Sequence, residues 1–310
     1  VDAIREKNAP VCVGLDPLIE RFPPSLLQDV GLALGADGAL GPGADPITCA
    51  EALRAFGRDV IRVVAPHVPA VKINIAFFER YHVEGLRAYL DLVRCAREVG
   101  LLVFGDIKRA DIGHSSTQYA RAHLLDDPGA EVTAPDAITV NPYFGFDTIR
   151  PFVDLARDEG RGLFVLVQTS NESAAEVQNL ALPDGLTLGE HVAGLVQTWA
   201  RAGGLVGRSG YSCIGAVVSP RDLPSTERIR ALMPQCVFLV PGFGAQGRTA
   251  QEVAKCFRPD GTGAIVNASR SVIYAHNIEP YGAQFGSDWP RAVEAACRDL
   301  VTAIRDVVPS

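Results

Sequence analysis

Val103-Phe104-Gly105-Asp106-Ile107-Lys108-Arg109-Ala110-Asp111-Ile112 reads as the end of a buried strand followed by a charged turn. The apolar run Leu101-Leu102-Val103-Phe104 supplies the strand, and Asp106, Lys108 and Asp111 then fall within six positions. In extended backbone Asp106 and Lys108 project to the same side. Three ionisable groups crowded at a strand tip shift one another's protonation, which suits a reactive site better than a structural strand end. An isolated D-x-K-x-x-D is better read as a solvated turn with an incidental ion pair, so the rest of the chain decides.

Seven more runs of the same kind flank it, each ending in a Gly, Asp, Asn, Lys or Pro cluster and followed by helix-like sequence. With Leu101 to Phe104 they are Val11 to Leu15, Ala70 to Ile73, Ala137 to Val140, Leu163 to Val167, Ile214 to Val218, Val237 to Val240 and Ala264 to Val266. Buried strands alternating with helices predict a parallel sheet, and eight repeats predict an α/β fold of the (β/α)₈ TIM-barrel type. A doubly wound open sheet is the rival, but no G-x-G-x-x-G follows the first strand. Helical spacing predicts helices opening near Thr48, from Ala76 to about Val99, and over Phe146 to Arg157, Leu188 to Arg201, Ser219 to Leu232 and Trp289 to Val307. A stretch from about Gln28 to Pro46, dense in Gly, Ala, Asp and Pro, reads as an irregular surface insertion. No repeat or linker divides the chain, so residues 1–310 are expected to form one domain.

Bulk properties narrow the function classes. The 310 residues are 47% hydrophobic and 21% charged, ordinary for a soluble globular protein. A net charge of −7 argues against a nucleic-acid surface, so any phosphate must be met by a local device. Seven widely spaced cysteines (Cys12, Cys49, Cys95, Cys213, Cys236, Cys256, Cys297), with no C-x-x-C pair, suit buried free thiols in a reducing compartment rather than disulfides or a zinc site. No apolar run reaches membrane-spanning length and no signal-peptide layout opens the chain, so the cytoplasm is expected and a membrane partner is not.

In a barrel, reactive groups sit at the carboxyl ends of strands. Here the first strand ends in Asp16-Pro17, the second in Lys72-Ile73-Asn74 and the third in Asp106-Ile107-Lys108 with Asp111 beyond. The fourth ends in Asn141-Pro142-Tyr143, the fifth in Gln168-Thr169-Ser170-Asn171, the seventh in Pro241-Gly242-Phe243-Gly244-Ala245-Gln246-Gly247 and the eighth in Asn267-Ala268-Ser269-Arg270. Singly, such Asp-Pro and Asn-Pro pairs just start turns and cap helices. Jointly they describe a convergent site.

The last two loops suggest where phosphate binds. Gly242, Gly244 and Gly247 let backbone N–H groups approach an anion, Gln246 adds an amide and Arg270 a bidentate partner. Three glycines also fit a merely tight loop, but barrels place phosphate after strands seven and eight. Asp16 and Asn74 suit sugar hydroxyls. His114, Ser115, Ser116 and Thr117 form a polar run that either donates hydrogen bonds or starts a helix. No histidine has metal-ligand spacing or a serine partner in a nucleophile motif.

Together these strand ends resemble the orotidine 5′-phosphate decarboxylase family, in the branch whose third strand reads like Asp106-Ile-Lys108-Arg-Ala-Asp111-Ile-Gly. The resemblance extends through Val13-Gly-Leu-Asp16-Pro, Val71-Lys72-Ile-Asn-Ile-Ala-Phe-Phe-Glu, Val140-Asn-Pro-Tyr, Gln168-Thr-Ser-Asn, Pro241-Gly-Phe-Gly-Ala-Gln-Gly and Asn267-Ala-Ser-Arg270-Ser. It implies a homodimeric barrel without metal or organic cofactor that converts orotidine monophosphate to uridine monophosphate and CO₂ in pyrimidine biosynthesis. It also implies that Lys72, Asp106, Lys108 and Asp111 form a charged tetrad, with Lys108 protonating C6 and Asp111 reaching across the dimer into the neighbouring site. Asp16 and Lys72 would hold the ribose region, which Asn74 also suits, Ser170 or Thr169 the pyrimidine edge and Thr117 a further substrate contact, while Gln246 would bridge phosphate and base and Arg270, with Gly242, would take the phosphate. Two positions depart from the family pattern: His114 and Ser115 after Gly113, and Asn267 where many relatives have Gly. The rivals are a metal-dependent sugar-phosphate decarboxylase or aldol-type synthase of the same suprafamily, a Schiff-base enzyme using Lys108 or Lys72, and a non-catalytic nucleotide-phosphate binder. Lys72 would repel a divalent cation, and a binder has little reason to keep two buried carboxylates close together.

Overall fold

The computed structural model describes residues 1–41, 44–130, 132–244 and 249–309. Each of the expected apolar runs forms a strand: β1 Val11–Leu15, β2 Ala70–Asn74, β3 Leu102–Arg109, β4 Ala137–Val140, β5 Gly162–Gln168, β6 Ile214–Val218, β7 Phe238–Val240 and β8 Ala264–Ala268. They pair in parallel in sequence order, and β8 returns to β1, closing the (β/α)₈ barrel. The runs are apolar throughout because both faces are covered, one by helices and one by the barrel interior.

That interior is packed. Cys12, Ala70, Phe104, Ala137, Phe164, Val217, Leu239 and Ile265, one from each strand, form a closed layer of side chains. Small Ala137 stands between Phe104 and Phe164, whose rings meet edge to face, 5.1 Å apart at 67°. Gly215 makes room for this layer, since a Cβ there would lie 2.5 Å from the Val237 carbonyl oxygen and 2.9 Å from the Phe164 ring. Beneath it, Ile4 of a short helix Asp2–Lys7, which helical spacing did not reveal, packs against the layer. The remaining core lies between the strands and the outer helices.

Several boundaries differ from expectation, each for a local reason. The helix expected near Thr48 starts at Pro46, because the Asp45 carboxylate accepts from the Ile47 and Thr48 N–H groups and Pro46 fits a first turn. The helix expected over Ser219 to Leu232 starts only at Leu223, where Asp222 caps it by accepting from the Ser225 N–H. The 28–46 insertion is not wholly irregular: it begins with the end of helix Pro24–Asp29 and contains an antiparallel bridge between Leu34 and Leu40. Its Leu32 is buried in the core.

The helix expected from Ala76 to Val99 is two helices, Ala76–Glu79 and His82–Glu98, separated by a bend at which His82 takes φ 53°. The segments fold so closely that a Cβ at Gly85 would sit 1.9 Å from the Phe78 carbonyl oxygen. Gly85→Ala is therefore expected to cost about 2 kcal/mol or more and to lower the thermal midpoint by several degrees. An unchanged midpoint would mean that the bend yields freely.

The largest departure concerns the opening stretch. β3 does not end at Phe104 but continues through Arg109, so Asp106 and Lys108 lie in a strand and not in a turn. Its register with β4 shifts between Gly105 and Arg109, and Lys108 adopts φ 47°. Ile107, buried, holds the extension against the core.

Candidate active site

Strand alternation builds the site directly above the interior layer. Two residues beyond Cys12, Ala70, Phe104, Ala137 and Ile265, on the same face, stand Gly14, Lys72, Asp106, Thr139 and Asn267. Four of these, all but Gly14, line a cavity at the carboxyl end of the barrel, together with Asp16, Asn74, Lys108, Thr169, Ser170, Gly242 and Arg270. Its apolar wall is Leu166, Val217, Leu239, Pro241 and Phe243.

At the centre is a buried charge chain. Lys72 Nζ donates to Asp106 Oδ2 at 2.7 Å and lies 3.6 Å from Asp16 Oδ1. Asp106 Oδ1 accepts from Lys108 Nζ at 2.5 Å and from the Thr139 hydroxyl at 2.9 Å. The Asp106 side chain is only 8% exposed whereas that of Lys108 is 49% exposed, so the Lys108 ammonium stands at the open side of the pair. Burial by itself disfavours the Asp106 carboxylate, but Lys72 and Lys108 outweigh it and hold its pKa well below the usual carboxylate range. Burial likewise disfavours the Lys72 ammonium, and the carboxylates of Asp16 and Asp106 outweigh it and raise its pKa. Asp106 and Lys72 are thus held in their charged forms. Asp16 Oδ1 is buried without a hydrogen-bond donor, a vacancy suited to a ligand hydroxyl.

The backbone around Asp16 is pinned from the segment that follows β8. The Tyr274 hydroxyl accepts from the Leu18 N–H at 2.5 Å and donates to the Asp16 carbonyl at 2.9 Å. Ser269 donates to the Gly14 carbonyl at 2.9 Å, and a Cβ on Gly14 would lie 2.9 Å from the Ser269 Cβ. Gly14 is thus needed for close approach of β1 to the loop that carries Arg270.

Of the residues expected from sequence, Asp16, Lys72, Asn74, Asp106, Lys108, Thr169, Ser170, Gly242 and Arg270 come together. Asn74 also caps locally, its Oδ1 accepting from the Ala76 N–H at 3.3 Å. Asp111 and Thr117 do not line this cavity. Asp111 Oδ1 accepts from the N–H of its own neighbour Ile112 at 2.8 Å, and Thr117 lies within helix Gly113–Leu124. The polar run from His114 is thus a helix start, tied down where Ser116 donates to the Thr148 carbonyl. Gln246 and Gly247 lie outside the described residues. Thr139 and Tyr274 were missed. Thr139 sits in a run read as purely apolar, and the available signal was a lone hydroxyl at an inward-facing position of a buried strand.

The family model described as "Orotidine 5'-phosphate decarboxylase / HUMPS family" matches residues 9–282. The chain belongs to this family. Among curated proteins, the orotidine 5'-phosphate decarboxylase of Rhodopirellula baltica is 37% identical over 296 residues, covering 95% of this chain and 93% of that protein. The Deinococcus radiodurans protein of the same name is 38% identical over 255 residues, covering 82% of this chain and 88% of its own. Among solved structures, the Leishmania donovani OMP decarboxylase superposes with a TM-score of 0.71 at 26% identity, over 99% of this chain and 97% of that one. The likeness to this family thus extends along nearly the whole length of the chain.

Proposed function

We propose that this chain is an orotidine 5′-phosphate decarboxylase, a carboxy-lyase that converts orotidine monophosphate to uridine monophosphate and CO₂ in pyrimidine biosynthesis, acting as one barrel domain. The observation that carries the reading is Lys108 Nζ held 2.5 Å from the buried, ionised Asp106. When the bond from C6 to the carboxyl carbon breaks, its electron pair stays in an sp² orbital that the ring delocalises poorly. A preorganised ammonium beside that carbon stabilises the localised charge and then transfers its proton, forming the C6–H bond; Lys108 regains a proton from water. Asp106 fixes the ammonium, and Lys72 on its other oxygen keeps Asp106 ionised throughout.

The remaining residues take roles consistent with their surroundings. Asp16, whose Oδ1 is ion-paired with Lys72 but accepts no hydrogen bond, and Asn74 receive the ribose hydroxyls. Between the two candidates for the pyrimidine edge, Ser170 is favoured. The Thr169 hydroxyl already donates to Asn171 Oδ1 at 2.7 Å and accepts from Gln178 Nε2 at 2.8 Å. Gly242, with φ 96°, and Arg270 face the phosphate end, and Gln246 belongs to the same loop. Binding energy at that remote group is available to hold the reacting carbon against Lys108.

Asp111 does not line its own cavity, and we assign it to the site of a second copy. Around it, the loops beyond β3 and β4 expose Ile112 at 64%, Tyr143 at 81% and Phe144 at 52%, an apolar group at the barrel mouth that a homodimer would cover. The seven cysteines are free, five of them buried, in keeping with the cytoplasm. Among the described residues no helix is long and apolar enough to cross a membrane.

The direct test is the ultraviolet absorbance of the orotate ring on mixing orotidine monophosphate with purified protein in excess chelator. Loss of absorbance with formation of uridine monophosphate is expected. No change would overturn the assignment, and turnover only after metal is restored would favour a metal-dependent relative.

A further inference from the structure

We propose that Thr139 is a positioning residue that sets the place of the Lys108 ammonium, an inference that rests on the decarboxylase reading above. A hydroxyl offers one hydrogen and two lone pairs, and Thr139 uses all three on the β3 bulge. Its hydrogen goes to Asp106 Oδ1 at 2.9 Å. Its lone pairs receive the backbone N–H groups of Ile107 at 3.0 Å and Lys108 at 2.9 Å. The side chain is 1% exposed, so water does not substitute for these contacts.

The need for such an atom follows from the backbone. Where the register of β3 against β4 shifts, between Gly105 and Arg109, the bulge withdraws the regular ladder acceptors from the N–H groups it displaces. Lys108 also takes φ 47°, a region that side-chain-bearing residues seldom occupy. Without the Thr139 oxygen, two N–H groups lose their acceptor, and the segment gains by relaxing toward regular extended backbone. Such a relaxation turns a side chain toward the other face of the strand. For Lys108 that would carry Nζ away from Asp106 and from the reacting carbon. A hydroxyl serving only to satisfy buried N–H groups would matter for stability and leave turnover alone.

Thr139→Val keeps the shape and removes the hydroxyl, while Thr139→Ser keeps the hydroxyl. With orotidine monophosphate as substrate, Thr139→Val is expected to lower kcat by about 10- to 100-fold, the range that small misplacements of a reacting group produce. KM should stay within about threefold, and Thr139→Ser should restore kcat to within about threefold of the unchanged protein. If the valine variant fails to fold, Thr139→Ala replaces it with the same expectation. A kcat unaffected by Val or Ala, or a serine variant as impaired as either, would overturn the proposal. Amide hydrogen exchange at Ile107 and Lys108 provides a reading independent of turnover: it should quicken in the valine or alanine variant and stay slow in serine. Unchanged exchange would overturn the positioning role. If the unchanged protein has no turnover, the decarboxylase reading fails by itself and the exchange measurement still decides on Thr139.

Discussion

Lys108→Ala is expected to reduce kcat by about 10⁴-fold or more, combining the loss of an electrostatic partner for the carbanion with the loss of the proton donor. The variant should still fold and bind uridine monophosphate, for three reasons found at the site. Lys108 is half exposed, so no core contact is removed. Asp106 keeps Lys72 at 2.7 Å and Thr139 at 2.9 Å and is not left buried without a counter-charge. Groups assigned to ribose and phosphate lie on other strands. Steady-state turnover measured alongside uridine monophosphate titration checks both halves. Near-normal turnover would sink the mechanism, whereas loss of binding together with turnover would show that Lys108 holds the ground state instead.

Mixing two inactive variants should restore activity. If Asp111 completes the neighbouring site, Asp111→Ala and Lys108→Ala homodimers are each impaired at both sites. In a mixed dimer one site joins Lys108 of the first chain with Asp111 of the second and is intact, while the other carries both changes. Random exchange of subunits makes half of the dimers mixed, so about a quarter of the unchanged activity is expected. No recovery after verified exchange would confine Asp111 to its own chain. Full activity of Asp111→Ala alone would remove it from the reaction.

Much of this architecture was legible because burial on both faces leaves a plain mark in sequence: short apolar runs, each ended by polar residues. Strand ends such as Lys72-Ile73-Asn74 and Asn267-Ala268-Ser269-Arg270 carried their chemistry on their surface. The path of β3 was less accessible. Regular periodicity puts a charged residue such as Lys108 at a strand's end, whereas continuation through a bulge is supported by contacts remote in sequence, among them the hydroxyl of Thr139 and the Asn141 N–H on the Arg109 carbonyl. Similarly, the bend before His82 depends on the Phe78 carbonyl approaching Gly85, a contact that helical spacing does not encode. Tyr274 was invisible for the same reason: its partners, Asp16 and Leu18, lie at the far end of the chain.

The layer of eight side chains beneath the cavity governs traffic. With Phe104, Phe164 and their neighbours packed across the barrel interior, the described part of the cavity opens at the carboxyl end of the strands, where substrate would enter and nucleotide and gas would leave. Carbon dioxide released beside Lys108 would then leave past the nucleotide rather than through the packed layer. Until it does, it remains within reach of the carbanion it has just left. Under the proposed mechanism recapture and protonation would compete, and the Lys108 ammonium beside Asp106 would favour protonation.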